Sequence, residues 1–115
     1  MKLVVREKNI TVSQQLKIAE SFFERLIGLM FKEKMDGFDG LLIKQCRSIH
    51  TFFMRYPLDI VFMNNEMKIK KIIRNIKPWR MTLIYFTSTQ VLELEGGTLH
   101  QEIREGDKLE VICIN

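Results

Sequence analysis

The stretch of residues 46–63 constrains the fold more than any other part of the chain. Two apolar runs of strand-like composition flank Tyr56-Pro57, and the second run, Leu58–Met63, is apolar on both faces except at Asp59. Apolar side chains on both faces indicate a strand that is covered on both sides. Because the residue before a proline avoids helical geometry, we expect a turn at Tyr56-Pro57 and a central strand after it.

Short runs of strand-like composition make up most of the remaining chain. They lie at residues 3–6, 10–12, 16–20, 40–44, 67–75, 91–95 and 108–114. Ser21 and Glu24 form a capping box, which predicts a helix over residues 21–30. A second box beginning at Thr98 predicts another short helix after Gly97. The predicted fold class is α+β, predominantly antiparallel β, with a small barrel-like or strongly twisted sheet and one or two short helices.

Size and composition narrow the class of protein. A chain of 115 residues with 46% hydrophobic and 28% charged residues is typical of one globular domain, spanning residues 1–115. Its apolar runs are far shorter than the roughly 20 residues of a membrane span, so we expect no membrane insertion. A charge already at Arg6 argues against a signal peptide, and we expect a cytoplasmic protein with Cys46 and Cys113 as free thiols.

Four stretches together carry a family resemblance. They are Arg25 to Met30, Met54 with Tyr56 to Phe62, Val91 to Glu93 with Gly96-Gly97, and Gly106-Asp107. In this order and spacing the chain resembles the DUF192 (UPF0127) family of uncharacterised small proteins from about Ile10 to Ile114. The resemblance implies a compact, β-rich, barrel-like domain with no established activity.

The chain departs from the commoner pattern of that family at one place. Where many members have an asparagine and a threonine before the Pro-Leu-Asp sequence, this chain has Arg55 and Tyr56. A cation and a phenol therefore replace an amide and a hydroxyl, and any family site that used those groups is altered here.

Six residues are candidates for a binding site because they place polar or flexible groups within apolar strands and turns. They are His50, Arg55, Asp59, Glu93, Gly96 and Gly97. A buried carboxylate such as Asp59 needs a partner, either backbone amides at the Pro57 turn, Arg25, or a pocket shared with His50. Glu93 either braces the Gly96-Gly97 turn or forms an acid/base pair with Asp59, and the two glycines could hold an anion.

We expect no metal and no cofactor. In an extended strand Cys46 and His50 share a face but lie about 13 Å apart, which is too far for a nucleophilic pair or a shared zinc ion. The chain also contains no Cys-x-x-Cys or His-x-x-x-His pattern.

A basic run forms a second candidate site, for polyanions. Its members are Lys68, Lys70, Lys71, Arg74, Lys77, Trp79 and Arg80, with no acid between Glu66 and Glu93. Such a run can track phosphates while an aromatic ring stacks on a base. Alternating lysines are also typical of the solvated face of an edge strand.

Three hypotheses of function follow. The leading one is a non-enzymatic accessory domain that binds a small ligand or a protein partner. The alternatives are a small hydrolase that uses Asp59, Glu93 and His50, and nucleic-acid binding through the basic run. We expect a monomer or a small homo-oligomer.

Overall fold

The computed structural model describes residues 1–19 and 29–113. Over these residues the chain forms eight strands and one 3-10 turn, Arg6–Lys8. The strands are β1 (Lys2–Val5), β2 (Ile10–Ser13), β3 (Leu16–Ala19), β4 (Gly40–Lys44), β5 (Leu58–Met63), β6 (Ile69–Ile76), β7 (Gln90–Glu95) and β8 (Glu110–Ile112).

The strands belong to two sheets. The smaller has the order β2-β1-β8, and the larger has the order β3-β4-β7-β5-β6. Every pairing is antiparallel except that of β3 with β4, which is parallel. The expected β-rich, predominantly antiparallel domain is therefore confirmed, but within the described residues the strands form two sheets and not a closed barrel.

The helical part of the predicted fold is wrong where the structure describes it. After Gly97 the chain makes turns, because the Thr98 hydroxyl donates back to the Glu95 carbonyl (2.6 Å) and His100 Nδ1 accepts from the Glu102 amide (3.1 Å). Side chains that bind nearby backbone groups in this way compete with helix formation. The helix expected over residues 21–30 lies almost wholly outside the described residues.

The larger sheet separates two groups of buried apolar side chains. All six residues of β5 are buried, which agrees with a central strand covered on both faces. Val61 and Met63 pack on one face with side chains of the smaller sheet. Leu58, Ile60 and Phe62 pack on the other face, because successive residues of a strand point in opposite directions. We call these the first and second core faces.

Residues 46–53 do not form the strand that their composition predicts. Left-handed backbone at Gln45 (φ 56°) and Phe53 (φ 64°) bounds the segment. Only His50 makes a strand-like bridge, to Met81. The segment is instead held by hydrogen bonds to the loop after β6, and these two pieces of chain build the surface described below.

Gly96 occupies a place where no side chain fits. A Cβ there would lie 2.6 Å from Asn75 Oδ1 and 3.0 Å from Pro57 Cγ. We expect Gly96→Ala to lower the free energy of unfolding by about 2 kcal/mol because the Asn75 side chain and the ring of Pro57 must move. Gly97→Ala is the control, since its Cβ meets open space and only the positive φ of 85° adds about 1 kcal/mol of strain. Equal losses for the two variants in urea unfolding would contradict the steric argument.

Candidate binding surface

Backbone hydrogen bonds join three separate pieces of chain into one surface. The Phe31 amide donates to the Phe53 carbonyl over 2.9 Å. The loop after β6 pairs with residues 47–51 through four further bonds of 2.8 to 3.0 Å. In each bond the amide of the first residue donates to the carbonyl of the second: Thr51 to Arg80, Trp79 to Thr51, Thr82 to Ile49 and Tyr85 to Arg47. The Thr51 hydroxyl also donates to the Lys77 carbonyl over 2.7 Å.

This surface exposes large apolar side chains. Within the described residues eight such side chains are exposed, and seven of them lie here: Phe31 (64%), Phe53 (44%), Trp79 (56%), Met81 (71%), Leu83 (75%), Ile84 (56%) and Phe86 (79%). Single exposed hydrophobic residues are ordinary, but a contiguous group marks an interaction surface.

Five rings form a connected group, which we call the aromatic platform: Phe31, His50, Phe52, Phe53 and Trp79. The Phe53 ring centroid lies 5.2 Å from that of Phe31 and 4.8 Å from that of Trp79. Phe52 lies 6.1 Å from Trp79 and stacks on His50 at 5.1 Å. These separations suit ring pairs that stabilise one another, so the platform is preorganised.

Three residues of the platform have left-handed backbone. The φ angles are 66° at Phe31, 64° at Phe53 and 66° at Trp79. This region is unfavourable for a bulky L-residue, and such strain concentrates where function requires it. The fold therefore keeps these three rings exposed against both backbone preference and the hydrophobic effect.

The surface is also cationic. Residues 40–58 and 67–92, which supply all of it except Phe31, contain no acidic residue. Arg47, Arg55, Lys77 and Arg80 are exposed on these segments. Arg55 makes an ion pair of 3.2 Å with Glu33, and both side chains are more than half exposed, so this pair contributes little. The local field favours an anionic partner.

Asp59 lies on β5, between β7 and β6, on the first core face, and is 1% exposed. Its Oδ1 accepts from the Asn75 amide (2.7 Å) and its Oδ2 from the Leu99 amide (2.9 Å). The carboxylate therefore joins the end of β6 to the segment after β7. The expected bonds to backbone amides are present, but the donors are not at the Pro57 turn, and Arg25 lies outside the described residues.

Glu93 lies on the opposite face of the same sheet. It pairs with Ile60 across β5 and β7, whereas Asp59 pairs with Leu94. Directly paired residues share a face, so the two carboxylates point to different core faces and cannot form an acid/base pair in one cleft. The geometry on which the hydrolase hypothesis depends is therefore absent.

The Glu93 carboxyl is 5% exposed and has no hydrogen-bond donor within the described part of the chain. Burial raises the pKa of Glu93 from 4.5 to about 7, because the charged form loses hydration. Nearby, the buried Tyr56 hydroxyl also has no hydrogen-bond partner. Burial, with the charges of Glu95 and Glu93, raises the pKa of Tyr56.

The other candidate residues are dispersed. His50 is half-buried, and its Nδ1 accepts from the Phe52 amide (3.2 Å). The Gly96 amide already donates to the Pro57 carbonyl (2.9 Å), so it is not available to an anion. Of the six candidates, the structure brings only His50 and Arg55 to the exposed surface formed by residues 47–55.

The basic run is divided among different roles. Lys70 and Lys71 both lie in β6, where Lys70 is exposed and Lys71 is half-buried. The Arg74 guanidinium donates to three carbonyls, those of Leu99, His100 and Ile103. Lys68 lies just before β6 and bridges to Lys108. Lys77, Trp79 and Arg80 follow β6 and belong to the aromatic and cationic surface.

Two features are absent from the described residues. No group of three or more His, Cys, Asp or Glu residues there could hold a metal ion. No helix in the same residues is long and apolar enough to cross a membrane.

Sequence reasoning missed most of the exposed platform. Phe31, Phe52 and Phe53, and the apolar loop at residues 81–86, have the composition of buried segments. The available signal was the absence of acidic residues from 40–58 and 67–92, which contain all of these residues except Phe31, together with Pro78 interrupting the strand pattern beside Trp79.

The family model and the similar proteins all point to one family. Residues 3–111 match the sequence profile of DUF192, described as "Uncharacterized ACR, COG1430". The UPF0127 protein PH1112 of Pyrococcus horikoshii is 30% identical over 113 residues, which cover 94% of this chain and 96% of that protein. The UPF0127 protein PF1050 of Pyrococcus furiosus is 27% identical over 110 residues, which cover 89% of this chain and 94% of that protein.

Two crystal structures share the fold. A protein of unknown function from Novosphingobium aromaticivorans aligns with a TM-score of 0.72 at 24% identity, over 84% of this chain and 74% of that chain. A protein from Sinorhizobium meliloti, described as a "putative transcription regulator", aligns with a TM-score of 0.77 at 25% identity. The alignment covers 95% of this chain and 89% of that chain.

Proposed function

We propose that this chain, which belongs to the DUF192 family, is a non-enzymatic accessory domain that binds a protein partner through the aromatic and cationic surface. The partner segment it fits is apolar and acidic. One observation supports the proposal: seven of the eight exposed large apolar side chains in the described residues belong to the three pieces of chain that the backbone hydrogen bonds join.

The residue types agree with a protein interface. Interfaces are enriched in aromatic residues, methionine and arginine, and their cores are depleted in aspartate and glutamate. The surface combines Phe53, Trp79 and Phe86 with Met81 and Arg80. Tryptophan and arginine are also the residues that most often dominate binding energy.

Charge determines which partner is favoured. A second copy docking with the same surface would bring Arg80 and Lys77 against their counterparts, and such like-charge contacts are unfavourable. An acidic segment meets the opposite charge. Nucleic acid would use the rings for stacking but would leave the aliphatic side chains of Leu83 and Ile84 exposed.

The test uses synthetic peptides of one length and fluorescence anisotropy. One peptide alternates leucine and phenylalanine with glutamate, a second replaces each glutamate with lysine, and a third replaces each apolar residue with serine. We expect saturable binding of the first peptide only. We expect Trp79→Ala to weaken that binding at least about tenfold, since a central aromatic contact is worth more than 1.4 kcal/mol.

A matched pair of charge reversals separates local from overall charge. Arg80→Glu and Lys70→Glu change the net charge equally, and both positions are exposed. Only Arg80→Glu is expected to weaken binding of the acidic peptide. Equal effects of the two reversals, or a preference for the lysine peptide, would refute the proposal. Tighter binding of single-stranded DNA or of anionic lipid vesicles than of the acidic peptide would refute the choice of a protein partner.

A further inference from the structure

We infer that a separate cleft at the end of the larger sheet binds a small anion that carries a terminal phosphoryl group. The cleft has a volume of about 350 Å³, which lies in the range of small-molecule sites. It is lined by Lys44, Gln45, Cys46, Arg47, Asn65, Thr89 and Gln90. This inference does not depend on the proposed function, because it concerns a different ligand, and of the residues that line the cleft only Arg47 also belongs to the aromatic and cationic surface.

The cleft lies where three pieces of chain meet. Lys44 ends β4 and Gln90 begins β7, and the two residues pair directly across the sheet. The Cys46 amide donates to the Thr89 carbonyl (3.0 Å), which holds the wall together beyond the strand ends. Asn65 comes from the turn between β5 and β6.

The lining has the composition of an anion site. Among its seven residues are two cations, three side-chain amides and one hydroxyl, and there is no carboxylate. The Lys44 and Arg47 side chains are exposed, and neither forms an ion pair or side-chain hydrogen bond within the described residues. An arginine with a lysine beside it gives both a forked donor and a point charge, the combination that phosphate recognition uses.

One polar group in the wall of the cleft has no hydrogen-bond partner among the described residues. Thr89 Oγ1 is buried and has no hydrogen-bond partner. A buried hydroxyl without a partner is unfavourable, so a bound acceptor at this wall would recover part of that cost. Rotation about the threonine Cα–Cβ bond exchanges the hydroxyl with the methyl group and can turn the hydroxyl into the cleft.

The arrangement favours a phosphoryl group over a carboxylate. The donors come from three directions, namely the cations Lys44 and Arg47, the amide of Asn65 and the hydroxyl of Thr89. A terminal phosphoryl group presents three oxygens in a tetrahedral arrangement, each able to accept more than one bond. A planar carboxylate has two oxygens and would leave some of these donors without an acceptor.

The experiment is a titration of the folded protein followed by amide NMR shifts, with inorganic phosphate, glycerol 3-phosphate and succinate as the three probes and sodium chloride held constant. We expect saturable shifts at residues 44–47, 65 and 89–90 with both phosphates, at a dissociation constant of about 1 mM or tighter. Arg47→Ala and Lys44→Ala are each expected to weaken phosphate binding at least about tenfold. Lys34→Ala, which removes a lysine that lines a different cleft, should leave it unchanged.

Three outcomes would overturn the inference. The first is a lack of saturation by either phosphate. The second is a set of shifts spread over lysines elsewhere in the chain, with Lys34→Ala as damaging as Lys44→Ala. The third is tighter binding of succinate than of both phosphates, which would remove the phosphoryl assignment. Tighter binding of glycerol 3-phosphate than of inorganic phosphate would support a free phosphorylated metabolite as the source of the group.

Discussion

Replacing Asp59 with alanine is expected to lower the free energy of unfolding by about 4 kcal/mol, because the change leaves one buried and one partly buried amide without acceptors. Those amides belong to Asn75 and Leu99 and now donate to the two carboxylate oxygens. Each unsatisfied buried donor costs about 1–3 kcal/mol, and the lost carboxylate volume adds to this. Urea unfolding followed by circular dichroism measures the difference.

Two further variants make this result specific to the hydrogen bonds. Asp59→Asn keeps one acceptor oxygen but turns an NH₂ group toward the other amide, so we expect a loss smaller than that of alanine but well above zero. Asp36→Asn is the control, because Asp36 is exposed and makes no ion pair or side-chain hydrogen bond in the described residues. A loss below about 1 kcal/mol for Asp59→Ala would contradict a bracing role for this carboxylate.

Glu93 is expected to make the fold less stable as pH rises from about 4.5 to about 7. In this interval the folded protein still holds the proton, because the pKa of Glu93 is about 7, whereas the unfolded chain has released it at its ordinary pKa of 4.5. Stability falls wherever the folded state binds more protons than the unfolded state. The full difference is about 3 kcal/mol, present below pH 4.5 and lost above pH 7.

Glu93→Gln tests this directly, since glutamine has nearly the same shape and cannot ionise. The variant is expected to match the parent protein near pH 4.5 and to exceed its stability at pH 8 by up to about 3 kcal/mol. The depressed pKa values of Asp39, Asp107 and Glu110 act in a lower pH range and remain in both proteins, so they cancel in the difference. A variant that is less stable than the parent at pH 8 would show that the charged carboxylate has a stabilising partner.

The strands could be predicted from the sequence because their pattern is local. Leu58–Met63 is apolar on both faces except at Asp59, and the structure places it inside the larger sheet, between β7 and β6. The burial of Asp59 follows from the same pattern. Its hydrogen-bond donors could not be predicted, since they lie 16 and 40 residues farther along the chain and are brought there by the sheet order.

The exposed surface could not be predicted for a related reason. Residues 46–53 and 81–86 have strand-like composition, and composition cannot distinguish an apolar segment that joins a core from one that remains outside it. The two segments pair with each other, and the left-handed backbone at Phe53 and Trp79 interrupts the extended conformation beside this pairing. Local sequence carries no strong signal for left-handed backbone at a bulky aromatic residue.

The pairing of β1 with β8 has a consequence for how the protein folds. These strands come from opposite ends of the described chain, and the ion pair between Arg6 and Glu110 beside them joins residues 104 positions apart. Closing so long a loop must precede any gain from its contacts, so topology of this kind slows folding toward the millisecond-to-second range. During synthesis β1 and β2 are therefore made before β8, and the edge of β1 that will bind β8 stays unpaired. A chaperone that shields this edge should raise the yield of folded protein.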